Sequence, residues 1–213
     1  MKSLIDSFDA PREKILETVK QSLEGADDGE LFIEYRESEG LAFDNGRLKN
    51  GTFNQDQGFG LRAVAGEAVG YAHAGELSLG ALKRAADAAS AVRTGYAGAY
   101  TAAPPGTNRS LYGDENPIGS PSFEAKVKLL QEIDAYLRAK DPKVRQVSVS
   151  LAGSWQQVEI LRADGHFVRD IRPMVRLNVS VVVGDGDSQE SGSYGAGGRK
   201  GFGEFITAAS SGW

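Results

Sequence analysis

Apolar residues recur at helical spacing in three stretches of the chain and alternate with polar ones through most of the rest. In the first stretch Ile15, Leu16, Val19 and Leu23 fall on one helical face. Asp9 is placed to cap that helix, Pro11 suits its first turn, and Gly25 suits its end. In the second, Leu79, Leu82, Ala85, Ala86, Ala89 and Val92 follow Ser78, a good cap, and Gly95 stops the run. The alanines let this helix lie close to a sheet. In the third, Phe123, Val127, Leu130, Ile133 and Leu137 line one face, from a start near Ser122 to a stop at Asp141-Pro142.

Strand signals fill the intervals. Leu31, Ile33 and Tyr35 alternate with Phe32, Glu34 and Arg36, and Leu41 and Phe43 lead into Asp44-Asn45-Gly46-Arg47. Asn-Gly between strand-like runs predicts a hairpin, because both residues accept positive φ. The chain returns through Leu48 to Phe53. Phe59, Leu61 and Ala63 read as a further strand, turned at Gly66-Glu67 so that Val69, Tyr71 and His73 share a face. After the third helix Val147, Val149 and Leu151 alternate, then Val158 and Ile160, with a turn at Asp164-Gly165. The longest strand signal runs from Val175 through Leu177, Val179 and Val181 to Val183, closed by Gly184-Asp185-Gly186-Asp187.

A helix followed by a meander therefore occurs twice, at 10–74 and 122–194, with little sequence identity between the halves. The expected fold class is α+β, with helices packed on antiparallel β-meanders. The expected organisation is an N-terminal α+β domain over 1–95, a linker or long loop over 96–121, and a second α+β region over 122–213. The middle segment holds Pro104, Pro105, Pro117 and Pro121 and keeps no period.

Composition removes several kinds of chemistry. With no cysteine, the 213-residue chain has no disulfide, no thiolate ligand and no cysteine nucleophile. Its 24 Lys and Arg against 29 Asp and Glu argue against direct nucleic-acid binding, which rewards a basic footprint. No apolar run approaches the ~20 residues of a membrane helix. The first residues, Met1-Lys2-Ser3-Leu4-Ile5-Asp6, carry no apolar signal core, so a cytoplasmic location with no membrane partner is the expectation.

Catalytic motifs are absent from the sequence. The two histidines, His73 and His166, are far apart, and neither belongs to a His-Glu-x-x-His helix or a serine triad. The segment 191–203 is glycine-rich but matches neither nucleotide-binding glycine pattern, and no helix is evident after it. It reads instead as a mobile loop or as a strand that exposes its backbone to a peptide. Asp185 and Asp187 lack the rest of a calcium loop.

Several segments, in order, resemble the TldD branch of the TldD/PmbA family. They are Asp56-Gln57-Gly58-Phe59-Gly60-Leu61-Arg62-Ala63-Val64-Ala65-Gly66-Glu67, Gly70-Tyr71-Ala72, Leu77-Ser78 and Asp164-Gly165. The likeness continues over Asp170-Ile171-Arg172-Pro173-Met174-Val175-Arg176-Leu177-Asn178-Val179-Ser180-Val181, then Gly197-Gly198-Arg199 and Phe202-Gly203-Glu204-Phe205. The resemblance implies a cytoplasmic zinc metallopeptidase acting on peptides and unfolded small proteins, working as a heterodimer with a TldE/PmbA-like subunit. An older family label, modulator of DNA gyrase, implies no DNA binding.

The family's metal motif, His-Glu-x-x-x-His with a distant cysteine, has no counterpart here, so the resemblance is to the N-terminal portion. No catalytic or metal residue is carried over, and the chain alone is expected to be inactive and to hold no cofactor, with zinc expected in the full-length protein. The leading expectation is a non-catalytic part that shapes a substrate passage and binds a partner subunit. The alternative is a naturally short stand-alone interaction module that pairs with a TldE/PmbA-like subunit without hydrolytic activity, and the expected partner is that subunit or a second copy in a homodimer. Candidate contact residues are Asp56, Gly58, Gly60 and Arg62 in one segment, and Gly197, Gly198 and Arg199 in another. Arg199 is the candidate for a substrate carboxylate or a partner acid.

Overall fold

The computed structural model describes residues 2–99 and 111–206. The helices are α1 (Arg12–Leu23), α2 (Leu79–Ser90), α3 (Phe123–Lys140) and a single turn, α4 (Gly203–Ile206). The strands are β1 (Asp28–Asp44), β2 (Arg47–Ala65), β3 (Ala68–Ala74), β4 (Val144–Arg162), β5 (Phe167–Asp185) and β6 (Ser188–Gly198). They form one six-stranded sheet in the order β3-β2-β1-β4-β5-β6, and the class is α+β as expected.

The hairpins fall where the sequence placed them. Asn45 and Gly46 both take positive φ, 47° and 75°, at the β1–β2 turn, and Gly66, Gly165 and Gly186 do so at the others. The ends of β1 and β4 meet in opposite order: Asn45 N donates to the Val147 carbonyl at 3.0 Å and Ala163 N to that of Gly29 at 3.3 Å. This makes the central pair antiparallel. The runs at 48–53 and 59–63 are one 19-residue strand, not two, and those at 147–151 and 158–160 likewise join in β4. The intervening polar and glycine residues stay extended because neighbouring strands supply their backbone partners.

Two compact units divide the chain, and β1, β2, β4 and β5 contribute segments to both. The first unit comprises Met1–Arg36, Asp56–Arg109 and Gln156–Asp170. Its core joins Ile15, Val19 and Leu23 of α1 with Leu31 and Ile33 of β1, Phe59 and Leu61 of β2, and Leu82, Ala85 and Ala89 of α2. Gly70 brings β3 against α2: a Cβ there would lie 2.1 Å from the Ala89 carbonyl oxygen. The fully buried Glu159 accepts from Ser3 Oγ at 2.8 Å, Ile5 N at 3.0 Å and Gln157 Nε2 at 3.2 Å. That carboxylate fastens the N-terminal segment to β4.

Asp9 does not cap α1, whose first residue follows Pro11 without a side-chain cap. Its Oδ1 accepts instead from Leu79 N at 2.7 Å, beside the Ser78 cap of α2. The start of α2 thus has two of its free N–H groups satisfied, one from a distant segment.

The second unit comprises Glu37–Gln55, Ser110–Trp155 and Ile171–Trp213. Leu129, Leu130 and Ile133 of α3 pack on Leu41, Phe43, Val147, Val149, Leu151, Val175 and Leu177, with Phe202 and Phe205. The buried face of α3 is rotated from the expected stripe. Phe123 is exposed, whereas Lys126 and Asp134 are buried. A lysine can occupy a core position when charge and carbonyl partners surround it. Here Glu39, the Ile118 carbonyl and the Phe202 ring do so.

Part of the expected connection at 96–121 lies outside the described residues. Its later part is ordered in the second unit, with Asn116 Nδ2 donating to Glu37 at 2.7 Å and Trp155 Nε1 to the Asp114 carbonyl at 3.1 Å. The glycine-rich stretch is strand β6 up to Gly198, and α4 follows it, a helical turn that the sequence pattern did not show.

Candidate functional site

In the first unit, α1 and α2 cover one side of the sheet, and among the described residues no helix packs on the other, the open side. Period-2 alternation sends Leu31 and Ile33 to the covered side and Phe32 and Glu34 to the open one. Asp56, Gly58 and Gly60 of β2 and Tyr71 and His73 of β3 join Phe32 and Glu34 around a cavity of about 310 Å³. Register explains the grouping, since Gly60 pairs with His73 and Arg62 with Tyr71.

The two glycines set its shape. A Cβ at Gly60 would lie 2.7 Å from Tyr71 Oη and 2.9 Å from its ring, so the glycine lets Tyr71 lie across the strand. A Cβ at Gly58 would lie 2.8 Å from the Ala74 carbonyl. His73 stacks on Tyr71, with ring centroids 5.8 Å apart. The cavity offers carboxylates from Glu34 and Asp56 and the aromatic faces of Phe32 and Tyr71. These groups suit a cationic or amide-bearing partner.

Arg62 lies outside the cavity lining. Its Nη2 donates to Asp28 Oδ2 at 3.0 Å and its Nε lies 3.3 Å from Glu30 Oε1; Arg162 takes the other Asp28 oxygen at 2.7 Å. Below this network Asp27 Oδ2 accepts from Tyr96 Oη at 2.5 Å and Gly66 N at 2.8 Å. The Tyr96 and Gly66 bonds hold the Asp27 carboxyl below its ordinary value, and the same bond raises the Tyr96 phenol.

In the second unit β6 ends the strand order, and among the described residues it pairs with β5 and has no strand on its outer edge. Its residues are almost all exposed. A Cβ at Gly197 would lie 2.6 Å from the Val175 carbonyl, so this glycine permits the close approach of β5 and β6. Gly198 closes the strand, and the Arg199 guanidinium stands 5.0 Å over the Tyr112 ring. Asp56, Gly58, Gly60 and Arg62 therefore belong to one unit and Gly197, Gly198 and Arg199 to the other. Glu34 and Tyr71 were missed as cavity residues. The signal was the Gly-x-Gly spacing at 58–60 facing an alternating Tyr71-x-His73.

The family's metal does not fit the residues described here. Among them, no group of three or more His, Asp or Glu residues is close enough to hold a metal ion. His73 is engaged with Tyr71, and His166 sits at the 164–165 turn.

The architecture is a sheet of paired meanders with helices on it, and comparisons place it. Residues 29–100 match the model of PmbA/TldA metallopeptidase domain 1 and residues 116–210 that of the PmbA/TldA metallopeptidase central domain. The chain belongs to the PmbA/TldD metallopeptidase family. It is 35% identical over 186 residues to the metalloprotease TldD homolog of Haemophilus influenzae, and 32% identical over 181 residues to that of Buchnera aphidicola from Acyrthosiphon pisum. Each match covers 84% of this chain, which spans 38% of the length of either relative.

Solved structures share the fold at low identity. TldE from Thermococcus kodakarensis superposes with a TM-score of 0.74 at 14% identity, covering 95% of this chain and 45% of that one. A Bacteroides thetaiotaomicron structure described as a modulator of DNA gyrase gives 0.68 at 13%, covering 88% and 45%. No helix among the described residues is long and apolar enough to cross a membrane.

Proposed function

We propose that this chain is the non-catalytic N-terminal part of a TldD-like zinc metallopeptidase that acts on peptides and unfolded small proteins. Its role is to shape the substrate passage and to bind a TldE/PmbA-like partner subunit in the cytoplasm. In chain order its two α+β stretches are residues 1–95 and 122–213, joined by 96–121, and each compact unit draws strand segments from both stretches. The observation that carries the substrate role is the outer edge of β6, on which no strand pairs among the described residues. Main-chain N–H and C=O groups on such an edge hold an extended peptide with little regard for its side chains. Ser191, Gly192, Ser193, Gly195 and Gly197 put little bulk beside that edge, and no lysine or proline protects β6. Gly197, Gly198 and Arg199 are the contacts on this edge. Asp56, Gly58, Gly60 and Arg62 belong to the open face of the first unit, the surface assigned to the partner.

Light scattering of the 213-residue chain mixed with a TldE/PmbA-type subunit tests the partner role; a stable complex at micromolar concentration is expected, and its absence counts against it. Zinc analysis and a peptide-hydrolysis assay test the non-catalytic role. Stoichiometric zinc with hydrolysis by this chain alone would overturn it.

A further inference from the structure

On the open side of the second unit, Arg176, Asn178 and Ser180 of β5 stand in a row opposite Gly197, Gly195 and Ser193 of β6. Arg176, Asn178, Ser180, Ser193 and Gly195 border, with Ser148 and Ser150 of β4, a cavity of about 350 Å³, and Arg176 is the sole charged residue of its lining among the described residues. The volume lies within the range of small-ligand sites.

Arg176 is held ready. Its Nε donates to Asn178 Oδ1 at 2.8 Å, and Asn178 Nδ2 in turn donates to Ser150 Oγ at 3.3 Å. The Asn178 amide is thereby oriented with its oxygen toward the guanidinium. Gly195 leaves the room for this arrangement, since a Cβ there would lie 3.0 Å from Asn178 Oδ1 and 3.3 Å from Arg176 Nη2. Arg62, Arg138, Arg162 and Arg169 all face carboxylates. Arg176 is exposed, its Nε is paired with a neutral amide, and among the described residues its two Nη groups have no acceptor.

We propose that Arg176 anchors a carboxylate-binding site in this cavity. A guanidinium with Nε already engaged presents its Nη edge, which matches the two oxygens of a carboxylate. The hydroxyls of Ser150, Ser180 and Ser193 supply further donors. One cation among neutral groups, on a chain of net charge −5, suits a single negative charge better than a phosphate. The carboxylate comes either from a peptide C-terminus or from a small organic acid. The site is built on β4, β5 and β6, with Ala42 of β1 beside them, and stands whether or not the chain serves a peptidase.

The test is an NMR titration of the 213-residue chain with N-acetyl-trialanine, its C-terminal amide, acetate and inorganic phosphate, following backbone amides and the arginine Nε–Hε signals. The free acid should shift the Arg176 Nε–Hε signal and the Ser193 and Gly195 amides saturably, and the amide should not. Arg176→Gln should weaken binding at least about tenfold, the scale of one lost charge-assisted pair, and Asn178→Ala should weaken it less. Acetate matching the peptide acid would assign a small organic acid; tighter binding of the peptide acid would assign a C-terminus. The proposal fails if acid and amide bind alike, if phosphate binds more tightly than either carboxylate, if Arg176→Gln changes nothing, or if no probe gives a saturable shift. The acid-against-amide comparison uses only the unaltered chain, so it decides even if a variant does not fold.

Discussion

Lys126 of α3 donates its ammonium to Glu39 of β1, and the lysine side chain keeps only 2% of its surface exposed. The Ile118 carbonyl takes a second hydrogen bond at 2.8 Å and the Phe202 ring covers the ammonium at 5.0 Å. Removing one member of such a pair strands the other charge away from water. Lys126→Ala should therefore destabilise the chain by about 3–5 kcal/mol, whereas the double change Lys126→Met with Glu39→Leu should recover most of the loss. Urea denaturation measures both. A cost below about 1 kcal/mol for the single variant would show that Glu39 remains hydrated.

Backbone proximity gives a second prediction. A Cβ at Gly70 would sit 2.1 Å from the Ala89 carbonyl oxygen of α2, and a helix backbone cannot step aside as a side chain does. Gly70→Ala should cost about 1–3 kcal/mol or more by forcing β3 from α2. Gly192→Ala, where nothing lies within 4 Å, is the control and should be close to neutral. Equal melting temperatures for the two variants would refute the tight packing of β3 on α2.

The N-terminus of α2 combines a local and a distant cap. Ser78 Oγ accepts from Ala81 N at 3.1 Å, and Asp9 Oδ1 accepts from Leu79 N at 2.7 Å. Ser78→Ala should cost about 1 kcal/mol, as for other cap removals. Asp9→Ala should cost a similar amount and, unlike Ser78→Ala, should also loosen residues 5–11, read as faster amide exchange there. No change in exchange at those residues would mean that Asp9 does not tie its segment down.

This cap also marks where the sequence was legible and where it was not. Ser78 acts within its own helix, so spacing alone revealed it. Asp9 acts across 70 residues of chain, and its place before Pro11 pointed to the wrong helix. The same division runs through the fold. Asn45-Gly46 and Asp164-Gly165 declared their turns because φ preference is local. The continuity of β2 through its exposed stretch depends on neighbouring strands, which periodicity does not report. Lys126 broke the apolar stripe of α3 because its partners Glu39 and Ile118 come from elsewhere. At the candidate site, the glycines at 58 and 60 were legible as unusual, but the register that brings Tyr71 over Gly60 was not.

The Asp27–Tyr96 bond predicts a pH profile with two edges. Asp27 is held below its ordinary value of 3.8, chiefly by the Tyr96 hydroxyl and then by Gly66 N–H. Its contribution is therefore fully present above pH 3.8 and is lost as the pH falls through the lower folded-state value. Tyr96 is raised above 10.0, first by the same hydrogen bond. Its contribution is present below pH 10.0 and is lost as the pH rises through the higher folded-state value. Tyr96→Phe removes the phenol's titration and the largest cause of the Asp27 depression, leaving the part due to Gly66 N–H. The difference in melting temperature between the original chain and Tyr96→Phe should be positive and flat between about pH 5 and 9, and should shrink beyond each edge. Thermal melts across that range measure it. A difference that stayed constant into acid and alkali would mean that the ring's packing, not the hydrogen bond to Asp27, accounts for what Tyr96 contributes.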